Sequence, residues 1–358
     1  GIGTPILASP TDFTASVIDF SISLTRLTPW SCAIFIAAAS TGANAAQVYE
    51  QDGFGINVGG RVEARGQYQS EDVHKTNDIS RARLHIKVTQ DIGKDVDAVG
   101  YLEQEYNASG ENILPKHMYV GFATENNEIY YGQTDGALEL TTDYTDIMNT
   151  YGGDGNIKPL TADRAKNSIL AISHLGDLTL RTHVNFGGED GKVLFHEDAH
   201  VDSKTGKFVP ESTLKQTIDT GYGAAASYEI GAGFGLTGAY AIETYDIGKD
   251  STDGIVGIKW DSESIYLSGI GYDGSDKGDD FKGYETAARF KATNEISFVA
   301  TYTMLDKDSA TENVEHSAIE MNYNFTPNFV TYAAYQEVLN DGTGNTANNA
   351  MLGAKLTF

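Results

Sequence analysis

The 358-residue sequence carries 50 acidic against 25 basic side chains, and its formal charge of −25 repels phosphate backbones and argues against nucleic acid as a partner. Its single cysteine, Cys32, allows no disulfide framework. Its longest uninterrupted apolar run, Cys32 to Ala39, falls far short of the ~20 residues that a membrane-spanning helix needs.

With 39 Gly, 20 Tyr and 15 Phe, and with Asp and Asn gathered in short clusters, the composition is that of strands joined by turns, so an all-β protein is expected. The first feature along the chain is a leader. Trp30 to Ala45 reads WSCAIFIAAASTGANA, with Arg26 upstream and small residues at Ala43-Asn44-Ala45, the pattern of a secretory signal cleaved before Ala46. Residues 1–25 lack an initiator Met and resemble no standard signal start, which suggests upstream translation or an artefact. The expected division is therefore a leader over 1–45 and a folded domain over 46–358.

From Ile56 the chain alternates strictly. Ile56, Val58, Gly60, Val62, Ala64, Gly66 and Tyr68 take one face, and Asn57, Gly59, Arg61, Glu63, Arg65 and Gln67 the other. The next segment repeats the pattern, with Ala82, Leu84, Ile86 and Val88 against Arg81, Arg83, His85 and Lys87. Such segments, with their punctuation, predict strands near 54–69, 78–90, 96–107, 115–124, 128–133, 167–174, 177–187, 218–230, 234–243, 252–260, 264–272, 281–293, 296–304, 314–325, 328–338 and 347–358. Very short connections, such as Asp91-Ile92-Gly93 and Thr326-Pro327-Asn328, interleave with longer polar ones. An even number of strands, with tight turns at one end and long loops at the other, describes a 16-stranded antiparallel transmembrane β-barrel of an outer membrane. Charge is expensive in hydrocarbon, so the charged face belongs in the lumen, which at this strand number is too wide for side chains to fill. A soluble sandwich with one wet face would alternate similarly, but it usually carries more aliphatic bulk and fewer strands. Tyr68, Tyr106, Tyr130, Tyr245, Trp260, Tyr272, Phe325 and Phe329 fall near strand ends, where interfacial girdles sit. Trp260 is the only Trp after the leader, which disfavours a dedicated oligosaccharide slide.

Two motif matches fail on context. His196-Glu197-Asp198-Ala199-His200 fits H-E-x-x-H, yet Gly, Asp and Lys turns on both sides favour an extracellular loop or hairpin over the helix that a zinc protease requires. Gly269 to Gly274 fits G-x-G-x-x-G but is followed by an acidic segment rather than a helix, and reads as a strand end and turn. The Asp-rich stretches Asp246 to Asp253 and Asp273 to Asp280 lack calcium-loop spacing and read as solvated surface. No cofactor or resident metal is expected.

The segment AQVYEQDGFGINVGGRVEAR from Ala46, the segment YYGQTDGALELTTDYTDIMNTYGGD from Tyr130, and Phe358 together resemble the general diffusion porins of Gram-negative outer membranes, most closely the Vibrio-type trimeric porins. The resemblance implies that a long third loop, here roughly 134–166, folds inward and narrows the channel. Its motif is present as Thr145, Asp146, Tyr151, Gly152, Gly153 and Asp154. It further implies that loop acids, Asp146 and Asp154 with Glu139 and Asp143, oppose a basic ladder on the wall. Arg61, Arg83, Lys116 and Arg164 match that ladder, and Arg61, Arg81 and Arg83 share the charged face by alternation alone. Asp146 and Asp154 could instead cap backbone in a Gly-rich turn. The family's Pro-Glu is replaced by Asn149-Thr150, which removes one carboxylate from the constriction. Phe358 resembles the signal that the barrel assembly machinery reads.

The function so implied is a passive, water-filled, homotrimeric channel for small hydrophilic solutes and ions, set in outer-membrane lipid and lipopolysaccharide after export. No catalysis is expected, and the excess of acid suggests mild cation selectivity. The rival readings are a plugged barrel serving as receptor or adhesin, and an outer-membrane hydrolase barrel.

Overall fold

The computed structural model describes residues 45–358, apart from residues 71–74, 109–112, 153–154, 188–191, 198–199, 202–207, 210–211, 246–248, 309, 311–312 and 343–345. Long antiparallel strands follow one another: β1 (Phe54–Gln69), β2 (Arg81–Asp91), β3 (Asp97–Asn107), β4 (Ile113–Ala123), β5 (Asn127–Thr134), β6 (Ala165–Leu175), β7 (Leu178–Asn185) and β8 (Thr220–Gly231). The second half comprises β9 (Phe234–Thr244), β10 (Ser251–Asp261), β11 (Ile265–Asp276), β12 (Asp279–Lys291), β13 (Ile296–Lys307), β14 (Val314–Thr326), β15 (Phe329–Asp341) and β16 (Ala347–Thr357). Each pairs with the next, and β16 returns to β1 with Arg61 opposite Thr357 and Gln69 opposite Asn349, so the sheet is a closed 16-stranded barrel. Closure leaves no edge in hydrocarbon. β1 is longer than either neighbour, and two short strands complete it: Ala46–Gln51 pairs with its first residues and Lys75–Asp78 with its last.

Alternation sorts the side chains as the pattern in the sequence requires. On β1, Val62 is 53% exposed on the outer face whereas the adjacent Glu63 is 1% exposed on the inner one. Outward apolar residues continue around the barrel as Met118, Val120 and Phe122 on β4, Val256 and Ile258 on β10, and Leu352 and Leu356 on β16. Short turns close one end, where Thr326 pairs with Phe329 across Pro327 and Asn328, and the longer connections lie at the other, together with one tight hairpin between β11 and β12.

Three expectations are corrected. Asp273 to Asp276 belong to β11, because Lys277 and Gly278, both at positive φ (54° and 86°), make a tight hairpin into β12 with Asp276 opposite Asp279. Asp253 is a fully buried residue of β10, not solvated surface. Of the presumed girdle, Tyr68, Tyr106 and Phe325 are exposed, whereas Tyr130 and Tyr272 are buried on the inner face because their positions share parity with inward residues. The H-E-x-x-H string keeps its hairpin reading: His196 lies on a strand (Lys192–Glu197) paired antiparallel with Ser212–Thr217, and His200 begins another short strand; Asp198 and Ala199 lie outside the described residues.

Candidate pore constriction

The connection from β5 to β6, residues 135–164, touches strands on the far side of the barrel and therefore crosses its interior. Its first part is the short helix α1 (Glu139–Thr142), continued by turns in which Asp143 N–H donates to the Glu139 carbonyl and Asp146 N–H to that of Thr142. This winding divides the side chains by face. Thr141, Thr142, Tyr144 and Thr145 are buried against the wall, while Asp143 and Asp146, three residues apart, face the open lumen.

The wall-facing side is tightly fastened. Thr141 and Thr237 hydroxyls meet at 2.8 Å, Tyr144 and Ser227 at 2.9 Å, and the Tyr266 hydroxyl donates to the Tyr144 carbonyl at 2.7 Å. Four buried carboxylates on the far wall receive the rest of the loop. Glu285 accepts from the Thr145 hydroxyl at 2.8 Å and from Gly155 N–H, Asp253 from Asn156 at 2.7 Å, and Glu243 from Thr161 N–H at 2.7 Å. Glu320 accepts from Asn149 N–H at 3.1 Å, the Asn149 side chain at 3.0 Å and the Thr150 hydroxyl at 2.7 Å. At Asn149-Thr150 the loop itself carries no carboxylate, and both residues bind the wall carboxylate of Glu320. None of the four wall acids stood out in the sequence. The available signal was an acid at an inward position on each of β9, β10, β12 and β14.

The near wall carries the expected bases, but they are not bare. Arg81 lies 2.5 Å from Glu63, with Arg61 at 3.9 Å from the same carboxylate. Arg83 is bonded to Glu105 and lies 3.3 Å from Glu103, and the fully buried Lys116 lies 3.5 Å from Glu105. Arg164 lies 3.3 Å from Asp163 and 3.7 Å from Asp135, which also meets His117 at 2.7 Å. The ladder is therefore an interleaved array of both signs. Of its acids, Glu63 lies on the charged alternation face of β1, and Glu103 and Glu105, two residues apart on β3, are buried on the inner face of that strand.

Among the predicted loop acids, Glu139 turns aside to Arg181 at 2.7 Å, a partner that sequence reading missed. Among the described residues, no basic group lies within ion-pair distance of Asp143 or Asp146. Lumen water reaches both, but the surrounding barrel keeps bulk solvent away. That burial, reinforced by Asp146 and opposed by Arg181 and Lys158, raises Asp143 to about 7. Burial also raises Asp146, against the pull of Lys158, Arg164, Arg81 and Arg61, the bases that share its field. Gly152 lies beside this carboxylate: a Cβ there would stand 3.1 Å from Asp146 Oδ1. Tyr151 is buried, its hydroxyl 3.5 Å from the Gln67 side chain. Gly153 and Asp154 lie outside the described residues. At the seam, Phe358 exchanges two backbone hydrogen bonds with Gly60, each 2.9 Å.

Comparison with known proteins accords with this architecture. A family model described as Gram-negative porin matches residues 33–343. Porin-like protein L of Photobacterium profundum is 28% identical over 91% of this chain and 98% of its own length. Outer membrane protein U of Vibrio cholerae El Tor is 30% identical over 91% of this chain and 97% of its own. Among solved structures, Salmonella typhi OmpF, in complex with daunomycin, superposes with a TM-score of 0.72 at 17% identity, covering 87% of this chain and all of its own. An anion-selective porin from Comamonas acidovorans gives 0.68 at 14% identity, covering 85% of this chain and all of its own. These relatives are channels, not enzymes, and with the closed barrel they indicate the bacterial outer membrane. The chain belongs to the Gram-negative porins, the channel-forming β-barrels of the outer membrane.

Proposed function

We propose that this porin is a general diffusion channel for small hydrophilic solutes and ions, mildly selective for cations, and that Asp143 and Asp146 set that preference. The supporting observation is an asymmetry of neutralisation. The wall bases Arg61, Arg81, Arg83, Lys116 and Arg164 each have a carboxylate within 4 Å, whereas the two loop aspartates face the lumen without such a partner among the described residues. An ion in transit meets a wall whose field is largely cancelled and a loop whose field is not. In sequence, Gly152, Gly153 and Asp154 belong to the same loop, and Phe358 is read as the signal for barrel assembly. A homotrimer embedded in lipid and lipopolysaccharide fits the family, in which Vibrio cholerae OmpT has been solved in a trimer form. Cleavage before Ala46 would place a new amino terminus at the start of the strand Ala46–Gln51.

Reversal potential across a salt gradient in planar bilayers tests the proposal. A cation preference that falls in Asp146→Asn is expected, and an anion preference in the unmodified channel refutes it.

A further inference from the structure

Below the basic ladder, toward the short-turn end, the inner wall changes character. His85 on β2, Tyr101 on β3, Tyr119 on β4 and Tyr130 on β5 occupy inward positions on four adjacent strands and overlap like shingles. His85 and Tyr101 are 5.7 Å apart at 23° between planes, Tyr101 and Tyr119 5.2 Å at 20°, and Tyr119 and Tyr130 4.7 Å at 42°. Tyr130 packs on Val99 and Leu170, so the rings rest on a continuous apolar floor inside the lumen. Tyr101 and Tyr119 stay partly exposed to that lumen. An aromatic patch facing water, rather than lipid or a packed core, is not required to close the barrel.

Its border is polar and of both signs. The Tyr101 hydroxyl donates to Glu103 at 3.1 Å, Glu103 lies 3.3 Å from Arg83 and 3.6 Å from His117, and His117 lies 2.7 Å from Asp135. A net cation or anion meets repulsion from one half of this border. A neutral ring solute does not: an apolar ring face lies on the aromatic patch, and hydroxyls at its rim find both donors and acceptors.

We propose that Tyr101 and Tyr119, over the floor of Tyr130, form a weak binding site for neutral pyranose sugars on the periplasmic side of the constriction. This deepens the channel reading and rests on it. The scarcity of Trp does not bear on this patch, because its rings are Tyr brought together by register across separate strands.

The test is single-channel current with maltotriose in the bath, compared with polyethylene glycol of equal mass. Maltotriose is expected to interrupt the current in a saturable, concentration-dependent manner, and the polymer only to lower it in proportion to its concentration. Tyr119→Ala should raise the half-blocking concentration roughly two- to tenfold, the factor carried by one aromatic contact, at unchanged selectivity. Tyr119→Phe, which keeps the ring, should retain the block and guards against a folding defect in the Ala variant. Conductance with equal effects of sugar and polymer, or a block indifferent to Tyr119→Ala, overturns the site and leaves the channel reading intact. A protein that inserts without conducting overturns both.

Discussion

Glu320 is the anchor whose loss has the most legible consequence. Its carboxylate holds the loop tip through three hydrogen bonds, from Asn149 N–H, the Asn149 side chain and the Thr150 hydroxyl, in a residue that is itself fully buried. Glu320→Ala removes both acceptor oxygens and with them all three hydrogen bonds at once. The lumen holds water that can resolvate the freed donors, so the low end of the range applies, about 1 kcal/mol for each bond. The tip then loses about 3 kcal/mol of docking free energy, and its ratio of docked to released states falls by more than about 100-fold. The root of the loop stays fastened by Glu285, Asp253 and Glu243, so the barrel should remain intact. Single-channel recordings should show a noisier open state with altered conductance, and hydrogen exchange at 147–151 should accelerate by a similar factor. Glu320→Gln, which keeps one carbonyl acceptor, should fall between. Wild-type conductance, noise and exchange in Glu320→Ala refute the anchoring role.

Other consequences follow from charge. Asp146→Asn should lower cation preference without lowering thermal stability, measured as reversal potential alongside the melting of the folded barrel on gels. Because Asp143 lies at about 7, it is ionised above that pH and neutral below it. Cation preference should therefore decline as pH falls through about 7, and Asp143→Asn should flatten that step in reversal potential against pH. Arg83→Ala leaves Glu103 and Glu105 short of a counter-charge, so cation preference should rise and the barrel should melt earlier, by an amount consistent with the ~3–5 kcal/mol of a broken buried pair.

Strands were largely legible because lipid outside and water inside impose a period of two, and turn residues mark where each run ends. The exceptions have local causes. Asp273 and Gly274 looked like the start of a loop, but in an antiparallel barrel a strand continues wherever its neighbour offers a ladder, and Gly254 and Asp253 do. The constriction was legible on one side only. Asp146 came from a motif and Arg61, Arg81 and Arg83 from alternation, with Lys116 and Arg164 from resemblance alone, whereas Glu243, Asp253, Glu285 and Glu320 gain their role from lying opposite a loop more than 75 residues upstream, a relation no local pattern encodes. The pairing of Glu103 and Glu105 with Arg83 is likewise a matter of cross-strand register, in which Arg83 stands directly opposite Glu105. The ring cluster escaped notice for the same reason, since Tyr101 faces Tyr119 only after β3 and β4 have aligned.

Fifteen of the barrel's sixteen strand pairings join neighbours along the chain, and one, between Arg61–Gln69 and Asn349–Thr357, joins its two ends. The sheet can consequently zip hairpin by hairpin, but it becomes a cylinder only when its final strand arrives. Until then it presents two raw margins of unpaired amides and carbonyls. Maturation of this protein thus has a single late commitment step, and the unfinished sheet needs shelter from hydrocarbon until that step is complete.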